Sequence, residues 1–389
     1  MLPKKLQNKI DQRKENQSLR SLGTVNNLID FSSNDYLGFA NNKTIFHKTH
    51  DYLIENQIFQ NGATGSRLLT GNHGLYKEVE NQVAKFHSYE SSLIFNSGYD
   101  ANMGFFSCVP QRNDIILYDE LCHASIRAGI SMSKANAYKF RHNDTDELLI
   151  KIQETRRRKL EDSEIYVVTE SVFSMDGDSP DLDTVCSICK KTNARLIVDE
   201  AHAVGVFGEK GEGLIYHMGL KHLVFASIVT FGKALGGHGA AILGSLGLKE
   251  YLINFSGPFI YTTSLPPHNL ATIKTAYHQL ESFNASEISV IDTLENNINF
   301  FQKKLNELEL NQFIKSSSAI QSCIISGNSK VKKMSKELKK KGFDVKPILS
   351  PTVPKGKERL RFCLHSFNSK KEINDVLQTL AIFVKNANI

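Results

Sequence analysis

The chain has 389 residues, 41% of them hydrophobic, which is enough for one large core with a smaller domain attached. Its formal net charge of +6 comes from 47 basic and 41 acidic residues, with part of the excess in one run, "KVKKMSKELKKKG" at Lys330–Gly342. The rest is nearly balanced, so the run reads as the solvated face of a helix, and a nucleic-acid partner is not expected. No apolar stretch approaches the ~18 residues that span a bilayer, and "MLPKKLQNKIDQRKENQ" lacks the apolar core of a signal peptide. The expectation is a cytoplasmic protein with no membrane partner.

From residue 92 to 244 short apolar runs alternate with helix-like segments: "SLIF" (92–95), "DIILYD" (114–119), "AYKF" (137–140), "EIYVVTE" (164–170), "RLIVDEA" (195–201), "LVFASIVTF" (223–231) and "GAAILG" (239–244). Runs of this length separated by helical crossovers predict an α/β fold with a mostly parallel seven-stranded sheet and helices on both faces. After "SLPPHN" a helical region over roughly 268–310 leads to "SAIQSCIIS", the Lys-rich helix, "FDVKPIL", "RLRFCLH" and a last helix, the pattern of a small C-terminal α+β domain. The predicted organisation is an N-terminal segment (1–35), a large domain (36–267), a connecting helical region (268–310) and a small domain (311–389). Cys186 and Cys189 make the one C-x-x-C among six cysteines. With no second pair to complete a zinc site, and with Leu182, Val185 and Cys189 on one helix face, they read as buried core thiols.

In an open α/β sheet ligands bind at the carboxyl ends of the strands. "IVDEAH" puts Asp199 and His202 at one such end, "TESVFSMDGD" puts Ser174, Asp176 and Asp178 at another, and "YDELCHAS" puts His123 at a third. Thr230 and Lys233 close the run that leads into "TFGKALGGHG". Each alone reads equally as a helix cap or a loop hydrogen-bonder; their convergence points to a site. A desolvated lysine amine is the nucleophile that forms a Schiff base with an aldehyde, and flanking glycines allow a ring to approach the backbone. If the aldehyde is that of pyridoxal phosphate, Asp199 keeps the pyridine nitrogen protonated, His123 stacks on the ring, and His202 and Ser174 bond its phenolic oxygen. In "FNSGYDANMGFF", Ser97, Gly98 and Tyr99 open a helix whose free N–H groups suit a phosphate. The same segment also reads as a plain N-cap before a core helix.

Taken together, "FSSNDYLG" (31–38), "GSRLLTGNH", "SGYDAN", "HAS", "HND", "TESVFSMDGDSP", "VDEAHAVGVFGEKG", "TFGKALGG", "YTTSLPP" and "PTVPKGKERLR" (351–361) resemble the α-oxoamine synthases, pyridoxal-phosphate enzymes of fold type I. These join an amino acid to an acyl thioester with loss of carbon dioxide. The resemblance spans nearly the whole chain. It implies Lys233 as the Schiff-base lysine, Asp199 at the ring nitrogen, His123 on the ring, and His202, Ser174 and Thr230 as cofactor contacts. It also implies a homodimer in which Thr262 reaches the neighbouring subunit's phosphate. The substrates implied are small molecules, and most of these segments look like the members that use L-alanine and a pimeloyl thioester on CoA or a carrier protein. "GKALGGHG" looks more like those using glycine and acetyl-CoA. Arg20, Thr352 and Arg361 correspond to substrate contacts, with Arg361 as the carboxylate anchor. Without the resemblance "RLRF" reads as an edge strand with solvated arginines and "PTVPKG" as a rigid loop. A catalytically silent subunit of the same fold is the non-enzymatic alternative, and the presence of Lys233 argues against it.

Overall fold

The computed structural model describes residues 2–23, 27–157, 162–282 and 289–386. The chain forms two compact units, one of Asp35–Phe173 with Ser179–Ile291, the other of Met1–Asn34, Ser174–Asp178 and Asp292–Ile389.

In the larger unit, seven strands among the described residues make one sheet: β1 (Ser91–Phe95), β2 (Ile115–Asp119), β3 (Asn136–Phe140), β4 (Ile165–Glu170), β5 (Arg195–Asp199), β6 (Ala226–Thr230) and β7 (Ala240–Gly244). These are the seven apolar runs of the sequence, with small shifts at their ends. The order is β1-β7-β6-β5-β4-β2-β3. Neighbours are parallel except around β7, which runs antiparallel to β6 and β1. Chain length explains the exception. A parallel connection needs a crossover of about a dozen residues or more, and only 231–239 separate β6 from β7, so the chain turns back on itself. Lys233 sits in that return loop.

The central strands are apolar on both faces because helices cover both. Phe105, Ile116, Val168, Ile197 and Ile228 are fully buried in one core cluster, each side chain contributing roughly 1.5–3 kcal/mol of burial. The crossover helices Gly98–Cys108, Ala124–Met132, Thr145–Arg156 and Leu182–Lys191 begin with side-chain caps from Ser97, His123, Asp144 and Asp181. Cys186 and Cys189 are both buried in the last of these, Cys189 on the face it shares with Leu182 and Val185.

In the smaller unit, Arg359–Cys363 is the central strand of an antiparallel sheet, flanked by Lys346–Ile348 and Ile320–Ile324. The edge-strand reading of "RLRF" is therefore wrong: Arg359 and Arg361 are buried. Ile29–Asp30 pairs in parallel with Phe343–Asp344, which ties the N-terminal segment to this unit. Helix Asn328–Lys340 buries Val331, Met334 and Leu338 and leaves Lys333, Lys336, Lys339 and Lys340 exposed, the amphipathic split its sequence predicts. The helical stretch 268–310 is shared: Pro267–Glu281 lies in the larger unit and Asp292 onward in the smaller, while 283–288 fall outside the described residues. Among the described residues no helix is long and apolar enough to cross a membrane.

Candidate active site

Within the larger unit, the carboxyl ends of β4, β5 and β6 and the start of helix Gly98–Cys108 open onto a cavity of about 280 Å³. Its lining includes Ser97, Gly98, Tyr99, His123, Asp199, His202, Thr230 and Lys233. Eight polar or glycine positions singled out on four separate sequence segments thus share one space.

Lys233 is half-buried, and its Nζ lies 2.8 Å from Nε2 of His202. The other ring nitrogen of His202 is 2.7 Å from the hydroxyl of Tyr36. Both Tyr36 and His202 are buried. Asp199 ends β5, and its carboxylate accepts from the Ala201 amide at 2.9 Å and from Nδ2 of Asn102 at 2.8 Å. Asn102 also reaches Oγ of Ser125 at 3.1 Å, and that hydroxyl is 2.7 Å from Nδ1 of His123.

His123 caps helix Ala124–Met132 through Nδ1, which accepts from the Ser125 amide. Its side chain is open at the cavity, yet its imidazole lies deep enough that burial lowers its pKa; the Asp199 charge opposes this and Lys233 reinforces it. The parallel register of β4 and β5 places Glu170 beside Asp199. Burial, and then the neighbouring Asp199 charge, push the Glu170 carboxyl up to about 8, which favours its neutral form.

Ser97 caps helix Gly98–Cys108 and accepts from the Asp100 amide at 3.1 Å, leaving the first-turn N–H groups directed at the cavity end of the helix. A Cβ on Gly98 would stand 2.7 Å from Cγ2 of Thr230, so only glycine lets the helix start pack on the end of β6. The two glycines around the lysine differ in purpose. Gly232 faces the cavity, whereas Gly236 has a φ of +62° and a Cβ there would lie 2.2 Å from the Ala40 amide.

The donor set suits pyridoxal phosphate: an amine for the aldehyde, a carboxylate for a protonated ring nitrogen, and a helix N-terminus for the phosphate. The other expected contacts lie elsewhere. Thr262 sits in the larger unit but lines a separate small recess with Arg67 and Asn96, where Nδ2 of Asn96 donates to its hydroxyl at 3.4 Å. Ser174, Arg20, Thr352 and Arg361 belong to the smaller unit. There the Arg361 guanidinium donates to the Ser174 carbonyl, Cys363 Sγ and Oδ1 of Asn34, and Arg20 donates to the Thr352 hydroxyl at 3.1 Å. Tyr36, Asn102, Ser125 and Glu170 were not anticipated as site residues, although Tyr36 and Asn102 stand inside "NDYLG" and "SGYDAN".

The profile of the aminotransferase class I and II family matches residues 26–380. The chain belongs to that family. Relatives named 8-amino-7-oxononanoate synthase include one from Emericella nidulans, 36% identical over 96% of this chain and 94% of that protein, and one from Hydrogenovibrio crunogenus, 36% identical over 91% and 86%. Among solved structures, a Sphingomonas wittichii serine palmitoyltransferase superposes with a TM-score of 0.89 at 26% identity, covering 100% of this chain and 99% of that one. An 8-amino-7-oxononanoate synthase from Francisella tularensis gives 0.77 at 28% identity, covering 93% and 99%. The protein is a fold-type I pyridoxal-phosphate enzyme of the α-oxoamine synthase group, an acyltransferase.

Proposed function

We propose that this enzyme condenses L-alanine with a pimeloyl thioester, releasing the thiol and carbon dioxide and forming 8-amino-7-oxononanoate, a step of biotin synthesis. The observation that carries this reading is the Lys233, Asp199 and His123 constellation in one cavity, in a chain whose relatives with that name match it over nearly its full length. Lys233 would hold the cofactor through its aldehyde carbon, Asp199 its ring nitrogen, the start of helix Gly98–Cys108 its phosphate, and Thr230, Ser174 and His202 the ring substituents. The bound cofactor supplies an electron sink that makes the amino acid's Cα acidic.

The residues of the chain then divide the work. The Lys233 amine would accept the amino acid's Cα proton, and the nearby His202 imidazole would orient that amine. Asp199 would face the ring nitrogen and hold the proton there. The Nε2 of His123 donates a hydrogen bond to the substrate carboxylate or the thioester oxygen, where charge builds as the new carbon–carbon bond forms. Arg361, held in its own unit by Ser174, Cys363 and Asn34, would anchor the carboxylate, and Thr352 and Arg20 would contact the acyl chain. In a homodimer Thr262 extends to the phosphate of the neighbouring subunit. The reading includes a cytoplasmic location, to which the lack of a membrane-length apolar helix among the described residues is compatible.

A second reading, glycine with acetyl-CoA, is favoured by one segment, "GKALGGHG", whose Gly232-adjacent lysine and His238 both line the cavity. Free thiol release measured across the four pairings of alanine or glycine with pimeloyl- or acetyl-CoA separates the two. One methyl on the amino acid is worth only about 1–3 kcal/mol in a pocket, so some glycine turnover agrees with the proposal. A clear preference for glycine with acetyl-CoA would reject it.

A further inference from the structure

Asn102 lies inside helix Gly98–Cys108, where asparagine is a poor helix former that competes for backbone hydrogen bonds. It is 2% exposed, and its Oδ1 is buried with no hydrogen-bond partner among the described residues. An apolar side chain would fill that volume without stranding an oxygen, so the reason for an amide must lie in its donors. Both point to the site. Nδ2 reaches Oδ2 of Asp199 at 2.8 Å and Oγ of Ser125 at 3.1 Å.

The direction of every bond in this chain is forced. A carboxylate only accepts, so the amide nitrogen must face Asp199. The same NH₂ group donates its second hydrogen to Ser125. The Nδ1 of His123 receives the Ser125 backbone N–H at 3.2 Å, and an N–H donates only to a lone pair, so Nδ1 carries no proton. The Ser125 hydroxyl, 2.7 Å away, therefore gives its own hydrogen to Nδ1, and the imidazole proton resides on Nε2. One amide thereby serves two residues on different strands' ends.

We propose that Asn102 is a positioning residue that holds the Asp199 carboxylate directly and, through Ser125, fixes His123 with its proton on Nε2. This rests on the roles given above to Asp199 and His123, and extends them: the group facing the cofactor's ring nitrogen and the imidazole facing the substrate are set by one side chain.

The test compares Asn102→Asp, Asn102→Ala and Ser125→Ala, with folding checked by thermal melting. Pyridoxal phosphate affinity is measured by equilibrium dialysis, and the His123 ring nitrogens are followed by NMR in cofactor-free, ¹⁵N-histidine-labelled protein, assigned against His123→Gln. Asn102→Asp keeps the shape but turns an acceptor toward a carboxylate, so it should weaken cofactor binding about ten- to a hundredfold and more than Asn102→Ala does. A side chain that merely fills space gives the reverse ranking. The His123 Nδ1 signal should move in Asn102→Ala and in Ser125→Ala, and Ser125→Ala should leave the affinity within about threefold of wild type. Wild-type affinity in Asn102→Asp, or an unmoved Nδ1 signal in both alanine variants, overturns the proposal. The NMR arm needs no cofactor, so a failure of the catalytic reading would show as wild-type protein that binds cofactor without acyl transfer, and would leave this network standing.

Discussion

The Nζ of Lys233 and the Nε2 of His202 are 2.8 Å apart. The lysine comes from the return loop after β6 and the histidine from the loop after β5, so the contact follows from the pairing of those two strands. Its chemistry matters as much as its distance. A carboxylate partner would hold the amine as ammonium, whereas an imidazole accepts from it or donates to it. Tyr36, fully buried against the far ring nitrogen, keeps the imidazole in place.

Lys233→Ala removes the one amine among the cavity-lining residues. Cofactor should then bind only reversibly, and turnover should be lost. Borohydride treatment followed by peptide mass analysis checks this: wild type should carry the reduced cofactor on Lys233, and the variant should carry none.

Asp199→Asn keeps the shape of the side chain and removes the charge that holds a ring-nitrogen proton. Exchange of the amino acid's Cα hydrogen with deuterated water should slow by several orders of magnitude while cofactor still binds. A partner of this kind is worth about 3 kcal/mol or more in a desolvated site. Exchange at the wild-type rate would reduce Asp199 to a loop cap.

Gly98→Ala places a methyl 2.7 Å from Cγ2 of Thr230. The methyl of a β-branched residue at a strand end has little room to yield, so the helix start must shift and phosphate affinity should drop about tenfold or more. Thr230→Ser deletes Cγ2 and keeps the hydroxyl. The double variant should therefore recover cofactor affinity toward wild type, as titrated by the absorbance of bound cofactor.

His87 supplies a prediction about stability. It is wholly buried, and burial pulls its pKa down to about 4. Nδ1 donates to the Glu212 carbonyl, so Nε2 accepts from the Tyr277 hydroxyl, and the folded protein has no place for a second ring proton. With the folded pKa below the unfolded value of about 6.5, the unfolded chain binds more protons as pH falls. The stability associated with the neutral ring is complete above about 6.5 and is lost progressively toward 4, by about 3 kcal/mol at the lower end. Urea unfolding of wild type and His87→Gln between pH 7 and 4 measures it: the wild-type curve should fall more steeply by that amount, and parallel curves would contradict it.

Much of this architecture was legible because its signals are local. Seven short apolar runs announced seven strands, and Ser97 ahead of "GYDAN" announced a capped helix. The direction of β7 was not readable from periodicity, which is the same for parallel and antiparallel strands; the shortness of the 231–239 connection was the clue. Asp199, His202, Lys233 and His123 stood out because charged groups ending apolar runs are unusual. Tyr36 and Glu170 did not, since a tyrosine in a loop and a glutamate closing "YVVTE" look ordinary until the register of β4 and β5 brings Glu170 beside Asp199. Asn102 was hidden in the middle of a helix. Arg361 was placed on the correct strand, but which strand is central is a property of pairing and not of the five residues themselves.

The most direct test of the whole account follows the carboxyl carbon of alanine. With pimeloyl-CoA and alanine labelled with ¹³C at C1, the enzyme should release one labelled carbon dioxide per free thiol, and the product, identified by mass as 8-amino-7-oxononanoate, should carry no label. Labelled pyruvate in place of labelled carbon dioxide, with the amino group passed to a keto acid and no thiol released, would show an aminotransferase and contradict the account.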